Sequence, residues 1–377
     1  MKTSSIAIRV GIVAIVACGF VTLPAPRGGG LASANAQPGD APRVENARME
    51  TRALSGPLAA ELQSWAARSA QAQWIGYAVP EVAGNREVCC NDSGSWNHGC
   101  GTCRLEGGEH GVTMNSNDAS VKLEGPHEVV ILFRAENNKI TKIRLVSTEC
   151  SLDAGGLPFV WLTGVKPAES VALLAGYVHD ENFEERADNR RGHEALTAVA
   201  LHADDSADRA LESFVRPSER EALRKQASFW LGAARGKAGL AILQQMAKSD
   251  PSTDVRAQVT FALSVSREPA ALDEMIRMAK EDESSHVRGQ ALFWLAQKAG
   301  KKAGETITGA IENDPDTEVK KKAVFALSQM PKDEGVPKLI QVAQTNRNPA
   351  VRKQAMFWLG QSNDPRALEF FEKVLSQ

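Results

Sequence analysis

The sequence predicts a small α+β module followed by an all-α solenoid of helical hairpins, and three observations carry that reading. The last 155 residues repeat with a period of 32, since Val255, Val287, Val319 and Val351 recur in phase with Leu223 one period earlier. Each opens a near-identical string: LRKQASFWLG, VRAQVTFALS, VRGQALFWLA, VKKKAVFALS and VRKQAMFWLG. Residues 74–165 lack this period and are rich instead in β-branched and aromatic runs. A fixed period of this length marks units that bury their apolar faces only by stacking on neighbours.

Taken from the N-terminus, residues 1–36 read as a signal peptide. Lys2 and Arg9 supply a positive start, Val10–Leu23 is too short to span a bilayer comfortably, and Ala34-Asn35-Ala36 is a small-x-small cleavage site before Gln37. A retained membrane anchor is one alternative, and a lipid anchor at Cys18 is another, because Ile15-Val16-Ala17-Cys18 has the order of a lipidation site. No later stretch has the length and apolarity of a transmembrane segment. The expectation is an exported bacterial protein, periplasmic or secreted. Residues 37–56, with Pro38-Gly39 and Ala41-Pro42 among many charges, read as a linker.

The α+β module is expected over 57–165. Leu58, Leu62, Trp65 and Ala66 recur at helical spacing behind Pro57, which suits a first turn. Trp74–Val79, Val129–Phe133, Ile140–Val146 and Phe159–Thr163 read as strands. Glu136-Asn137-Asn138 joins the middle two as a hairpin, since adjacent asparagines tolerate a left-handed backbone. One hairpin is marginal alone, so a sheet of about four strands packed on the helix is expected.

The cysteines lie within this module. For an exported chain Cys89, Cys90, Cys100, Cys103 and Cys150 are expected to form disulfides that staple a loop-rich domain, and the odd number leaves one thiol over. Two other readings stay open. Cys89, Cys90, His98, Cys100 and Cys103 fall close enough together for a tetrahedral zinc site, although only one Cys-x-x-Cys is present. Cys100 and Cys103 could instead form a redox pair, but the strand-to-helix setting that lowers a thiol pKa is missing. No cofactor is expected.

From about Ala168 the chain turns helical, and the solenoid is placed at 168–377. Counting each opening Val or Leu as position zero, positions 0, 4 and 8 share one helical face in every copy. A break follows, then a second apolar row that includes Leu243, Met275, Ile307, Leu339 and Phe371 at position 20. Two antiparallel helices of about 12 residues account for the unit. Ser218, Asp250, Asp282, Asp314 and Asn346 are read as N-caps, Ser218 forming a capping box with Glu221. Repeats begin at 223, 255, 287, 319 and 351. Residues 191–222 form a degenerate cap in the same phase.

The string NPAVRKQAMFWLGQSNDPRALEFFEKVL resembles a HEAT repeat of the short kind found in phycobilisome-lyase-type proteins, through Val351-Arg352, Ala355, Leu359-Gly360, Asp364-Pro365 and Ala367-Leu368. The resemblance covers residues 191–377 and implies a curved α-solenoid with a protein-interaction role. It carries over no catalytic residue. Two positions depart from the general pattern. The seventh, usually small, alternates as Trp230, Ala262, Trp294, Ala326 and Trp358. The sixth, usually variable, is Phe229, Phe261, Phe293, Phe325 and Phe357. Close packing of large against small explains the alternation. A ladder of partner-binding aromatics is the competing explanation. Position 1 is Arg224, Arg256, Arg288, Lys320 and Arg352, either a cationic stripe or structural cations paired to loop carboxylates such as Asp254 or Asp316.

Composition narrows the function classes. Residues 223–377 carry 23 Lys and Arg against 18 Asp and Glu, and residues 1–222 carry 21 against 28. The surplus on the array is mild and no basic stripe interleaved with aromatics accompanies it, which argues against nucleic acid. His193-Glu194-Ala195-Leu196-Thr197 starts like a zinc-protease helix but has Thr where a second His must stand, and no phosphate loop or nucleophile elbow is present. The sequence reading is therefore an exported interaction scaffold that grips a protein or peptide partner and is not an enzyme. The alternative is an enzyme or enzyme subunit with a thiol or metal centre in 74–165 and the solenoid as docking arm.

Overall fold

Continuous apolar runs such as QWIGYAVP and EVVILFRAE have no polar face to give to water, so their sheet must be covered on both sides. The structure, a computed structural model, describes residues 41–68, 71–83, 102–106, 112–113, 128–148, 150–180, 191–298 and 300–376. The segment read as a signal peptide, Cys18, Cys89, Cys90, His98 and Cys100 lie outside the described residues.

Strands β1 (Val44–Glu45) and β2 (Met49–Ala53) precede helix α1 (Leu58–Arg68). They are followed by β3 (Gln73–Pro80), β4 (Thr102–Arg104), β5 (Val112–Thr113), β6 (Glu128–Glu136), β7 (Lys139–Ser147), β8 (Leu152–Asp153) and β9 (Phe159–Thr163). A five-stranded sheet runs β2-β9-β3-β6-β7, and a four-stranded one runs β1-β8-β4-β5. The β6–β7 hairpin turns at Asn137 and Asn138, both with positive φ (49° and 61°), as the adjacent asparagines predict. Residues 49–53, expected as linker, are instead a strand parallel to β9. All five are exposed, so no apolar alternation marks them; backbone pairing and the Arg52 guanidinium over the Trp65 ring at 5.1 Å hold them in place.

Strand alternation sends the two faces of the larger sheet into two cores. Trp74, Val130, Leu132, Phe159 and Trp161 face the small sheet, where they meet Cys103, Leu105, Cys150 and Leu152. Cys103 and Cys150 are buried and disulfide-bonded. Gly76 gives way to this packing, since a Cβ there would stand 2.6 Å from Leu132 Cδ2 and 3.3 Å from the Trp161 ring. Ile75, Tyr77, Val79, Ile131 and Phe133 point to the opposite side, against α1, α2 (Pro167–His179) and α3 (Arg191–Leu201). From there one apolar core continues without a break into the repeats.

The repeats follow as α4 (Asp205–Phe214) and then five hairpins. These are α5 (Glu221–Ala234) with α6 (Gly236–Ser249), α7 (Thr253–Val265) with α8 (Ala270–Glu281), and α9 (Ser285–Lys298) with α10 (Lys301–Asn313). The last two are α11 (Thr317–Gln329) with α12 (Lys332–Thr345), and α13 (Pro349–Gln361) with α14 (Pro365–Leu375). Positions 0, 4 and 8 are buried in all five first helices. Each second helix crosses its partner through a small residue at position 16: Gly239, Ala271, Ala303, Gly335 and Ala367 are all buried. At Gly239 a Cβ would stand 2.1 Å from the Leu231 carbonyl oxygen.

The expected N-caps are corrected. Helices α7, α11 and α13 are capped by Ser252, Asp316 and Asn348, two residues after the predicted positions, and α5 starts after Arg220 without a side-chain cap. Asp250, Asp282, Asp314 and Asn346 instead accept the backbone N–H two residues on, at 2.9 Å in each case. This local turn leaves the three aspartates free to take a second partner.

A buried polar chain fastens the sheet to the first helices. His202 Nδ1 lies 2.6 Å from the Ala198 carbonyl, His202 Nε2 lies 2.9 Å from Ser170 Oγ, and Ser170 Oγ lies 2.7 Å from the Tyr77 hydroxyl. A carbonyl only accepts, so the network assigns Nδ1–H as donor. Nε2 then accepts from Ser170, and Ser170 accepts from Tyr77. Burial holds the His202 pKa at about 4, below its ordinary 6.5. The neutral ring is the folded form, so stability is complete above pH 6.5 and falls as pH drops toward 4. The expected loss is roughly 3 kcal/mol. Urea titrations at pH 7.5 and 4.0 should show it in the native chain and not in His202→Gln, and an equal loss in both would assign the effect elsewhere.

Candidate functional site

A cationic stripe would be a surface, but the first three cations at position 1 are interior. Arg224, Arg256 and Arg288 each reach the aspartate 26 residues ahead, in the turn that joins its hairpin to the next. Nε stands 3.0 Å from Asp250, 3.0 Å from Asp282 and 2.7 Å from Asp314. The second arm of each fork reaches the other carboxylate oxygen at 3.2, 3.2 and 3.0 Å. Arg256 and Arg288 also donate to the carbonyl of the aspartate in the turn before their own hairpin, at 2.9 Å each. The expected carboxylates Asp254 and Asp316 are not the partners. The aspartates that lie on the buried side of the turn are. In the fourth rung both members change together: Lys320 donates to the Glu312 carbonyl at 2.9 Å and Asn346 stands where the aspartate would be.

Position 6 behaves differently. The five phenylalanines lie about 240° around the helix from position zero, so they flank the core and do not enter it. Phe229, Phe261, Phe293 and Phe325 are half-buried and Phe357 is 54% exposed. Together with the tryptophans of position 7 they form an unbroken ladder of rings. Phe229 stacks on Phe261 at 5.8 Å, and Phe261 meets Trp294 at 4.7 Å. Phe293 stacks on Phe325 at 5.9 Å, and Phe325 meets Trp358 at 4.9 Å. Within the odd hairpins each phenylalanine meets its own tryptophan edge to face, at 5.1, 4.9 and 5.0 Å. These separations and tilts are the favoured ones for aromatic pairs.

The tryptophans alternate with Ala262 and Ala326 for a visible reason. At Ala262 the backbones approach: a Cβ on Gly232 would lie 2.1 Å from the Ala262 carbonyl oxygen. Where tryptophan stands, its ring fills the interval to the preceding phenylalanine. The eight predicted partner-binding residues, Phe229, Trp230, Phe261, Phe293, Trp294, Phe325, Phe357 and Trp358, are thus brought into one continuous row, with Trp230 the most buried at 8% exposed.

First helices of successive hairpins pack directly on one another, whereas second helices stand further apart. This spacing leaves a cleft of about 810 Å³ between α8 and α10, with Ile276, Ala279 and Ala310 in its lining and an exposed Lys302–Asp273 pair at 3.3 Å across it. Charges of both signs line the cleft. Among the described residues no group of three His, Cys, Asp or Glu could hold a metal ion.

The geometry agrees with what the chain is similar to. The family model for HEAT repeats matches residues 194–296 and 305–377. No curated protein matches the chain. Among the solved structures that resemble the chain are these three. The complex of CpcE and CpcF of phycocyanin lyase from Nostoc sp. PCC7120 is 23% identical, covers 41% of this chain and 99% of its own, and has a TM-score of 0.33. Human deoxyhypusine hydroxylase in complex with glycerol is 18% identical over 54% of this chain and 77% of its own, with a TM-score of 0.24. The Escherichia coli protein YibA is 18% identical over 55% and 76%, with a TM-score of 0.34. Two of these neighbours carry the names of enzymes, which corrects the expectation that this chain is not one.

Proposed function

Because residues 194–296 and 305–377 of this chain are HEAT repeats, we propose that the array is an exported scaffold holding a protein or peptide partner along its first helices. One observation carries this reading. The aromatic ladder continues through all five hairpins while four of its phenylalanines stay half-buried and the fifth is largely exposed. Rings needed only for packing would be covered. A row left partly open at every repeat offers rigid apolar area at little entropic cost, the property that enriches aromatics at interface centres. A stack whose first helices are the more closely spaced layer bends toward that layer, so the ladder lies along the inner side.

Export is supported by the N-terminal order of charge, apolar run and small-residue site, and by disulfide-bonded Cys103 and Cys150, which suit an oxidising compartment. Among the described residues no helix is long and apolar enough to cross a membrane. The test is site-specific photocross-linking of the full chain in its host. A benzophenone side chain at Gln290, one turn from Phe293, should trap a partner that the same probe at Gln341 on α12 does not. Trapping at Gln341 alone would move the binding surface to the second helices, and trapping at neither would remove the reading.

A further inference from the structure

The ladder has a polar rail beside it. Position 3, one helical turn before each phenylalanine and on the same face, is Gln226, Gln258, Gln290, Lys322 and Gln354. All five are at least partly exposed, and none of the four amides bonds to another described residue. Four free carboxamides in one register, each offering two donors and an acceptor, match one ligand chemistry closely: the peptide group, which carries one donor and one acceptor of its own. Folded surfaces rarely present such a row, because their backbone groups are already paired.

The spacing agrees. Packed helices stand about 8–10 Å apart. An extended chain advances about 3.1–3.4 Å per residue. One repeat therefore corresponds to about three residues of extended polypeptide, so every third peptide group meets a glutamine while intervening side chains reach the phenylalanine row. Charge narrows the occupant further. Positions 2 and 3 together hold Lys225, Lys321, Lys322 and Lys353; Lys225 is paired with Glu221 and Asp254 and Lys321 with Glu318, which leaves Lys322 and Lys353 to face an occupant. Lys353 is exposed and has no partner among the described residues, and Lys322 lies across Gly289, whose added Cβ would stand 2.4 Å from its Cδ.

We propose that the partner is an unfolded, extended polypeptide segment bearing carboxylate and apolar side chains, held through its backbone by the glutamine rail. This rests on the scaffold reading above and specifies it. The preference is for extended over folded chain, with limited dependence on sequence, because the amides read groups common to every residue.

Reduced, carboxymethylated lactalbumin is a suitable probe, being permanently unfolded and acidic, with native lactalbumin as the folded control. Titrations by fluorescence anisotropy should show the full-length mature chain binding the unfolded form and not the native one. The quadruple variant Gln226→Ala, Gln258→Ala, Gln290→Ala, Gln354→Ala should bind at least tenfold more weakly with an unchanged melting temperature, since these side chains are outside the core. Equal binding by both chains overturns the proposal, as does a failure of the unfolded probe to bind at all. In the second case a partner cross-linked at Gln290 would still sustain the scaffold reading, so the two failures are distinguishable.

Discussion

Arg288→Ala is expected to destabilise the full chain by about 4 kcal/mol, the range for removing one partner of a buried ion pair. The size follows from what is left behind. Asp314, with its side chain 6% exposed, would keep only the backbone N–H of Asp316 as a partner. The chain itself supplies the control. Its fourth rung is Lys320 with Asn346, so the double substitution Arg288→Lys with Asp314→Asn recreates an arrangement the fold already accommodates. It should cost no more than about 1.5 kcal/mol, less than the sum of Arg288→Lys and Asp314→Asn made singly, because sites that share a contact are not additive. Urea unfolding of both singles and the double measures this directly. Additive losses would show that the rung is two independent contacts and not a bridge between hairpins.

Trp294→Ala should cost about 3 kcal/mol, the lower end of the range for truncating a large aromatic, because the ring is only partly buried. Its ring is held against Phe261 of the hairpin before at 4.7 Å and Phe293 of its own at 4.9 Å. Truncation opens the interval between α7 and α9, and amide exchange should rise there first because each repeat contacts only its neighbours. A melting temperature that hardly moves would make Trp294 a residue kept for the partner alone.

These two expectations mark what could and could not be read from the residues. The period fixed the hairpins because every copy repeats the same apolar face, and Arg at position 1 was visible as a structural or a surface cation. Its true partner was hidden by turn geometry. Asp250, Asp314 and Asn346 look like N-caps by type, yet the caps are Ser252, Asp316 and Asn348, and Asp250, Asp282 and Asp314 turn inward. In the module, the long strands announced themselves through β-branched runs. β1, β4, β5 and β8 are two or three residues each and owe their existence to pairing across the chain, Cys103 with Leu152 and Val44 with Leu152. No local pattern specifies such pairs. The glutamine rail and the small residue at position 16 were both present in the aligned copies and legible in principle. They become meaningful only when one row proves to face outward and the other a neighbouring backbone.

The alternation of tryptophan and alanine makes parity a property of this array. The arginine rungs repeat every hairpin, so excising residues 255–286 would remove Arg256 together with its partner Asp282 and leave the Arg224–Asp250 and Arg288–Asp314 rungs whole. The rings do not tolerate that excision. Hairpins carrying Trp230 and Trp294 would become adjacent, and two indoles would contend for an interval shaped for one. Removing residues 255–318 instead would bring Ala326 beside Gly232 and restore the sequence of close and filled steps. The heritable module of this solenoid is therefore the hairpin pair, and the array lengthens or shortens without repacking only in even numbers.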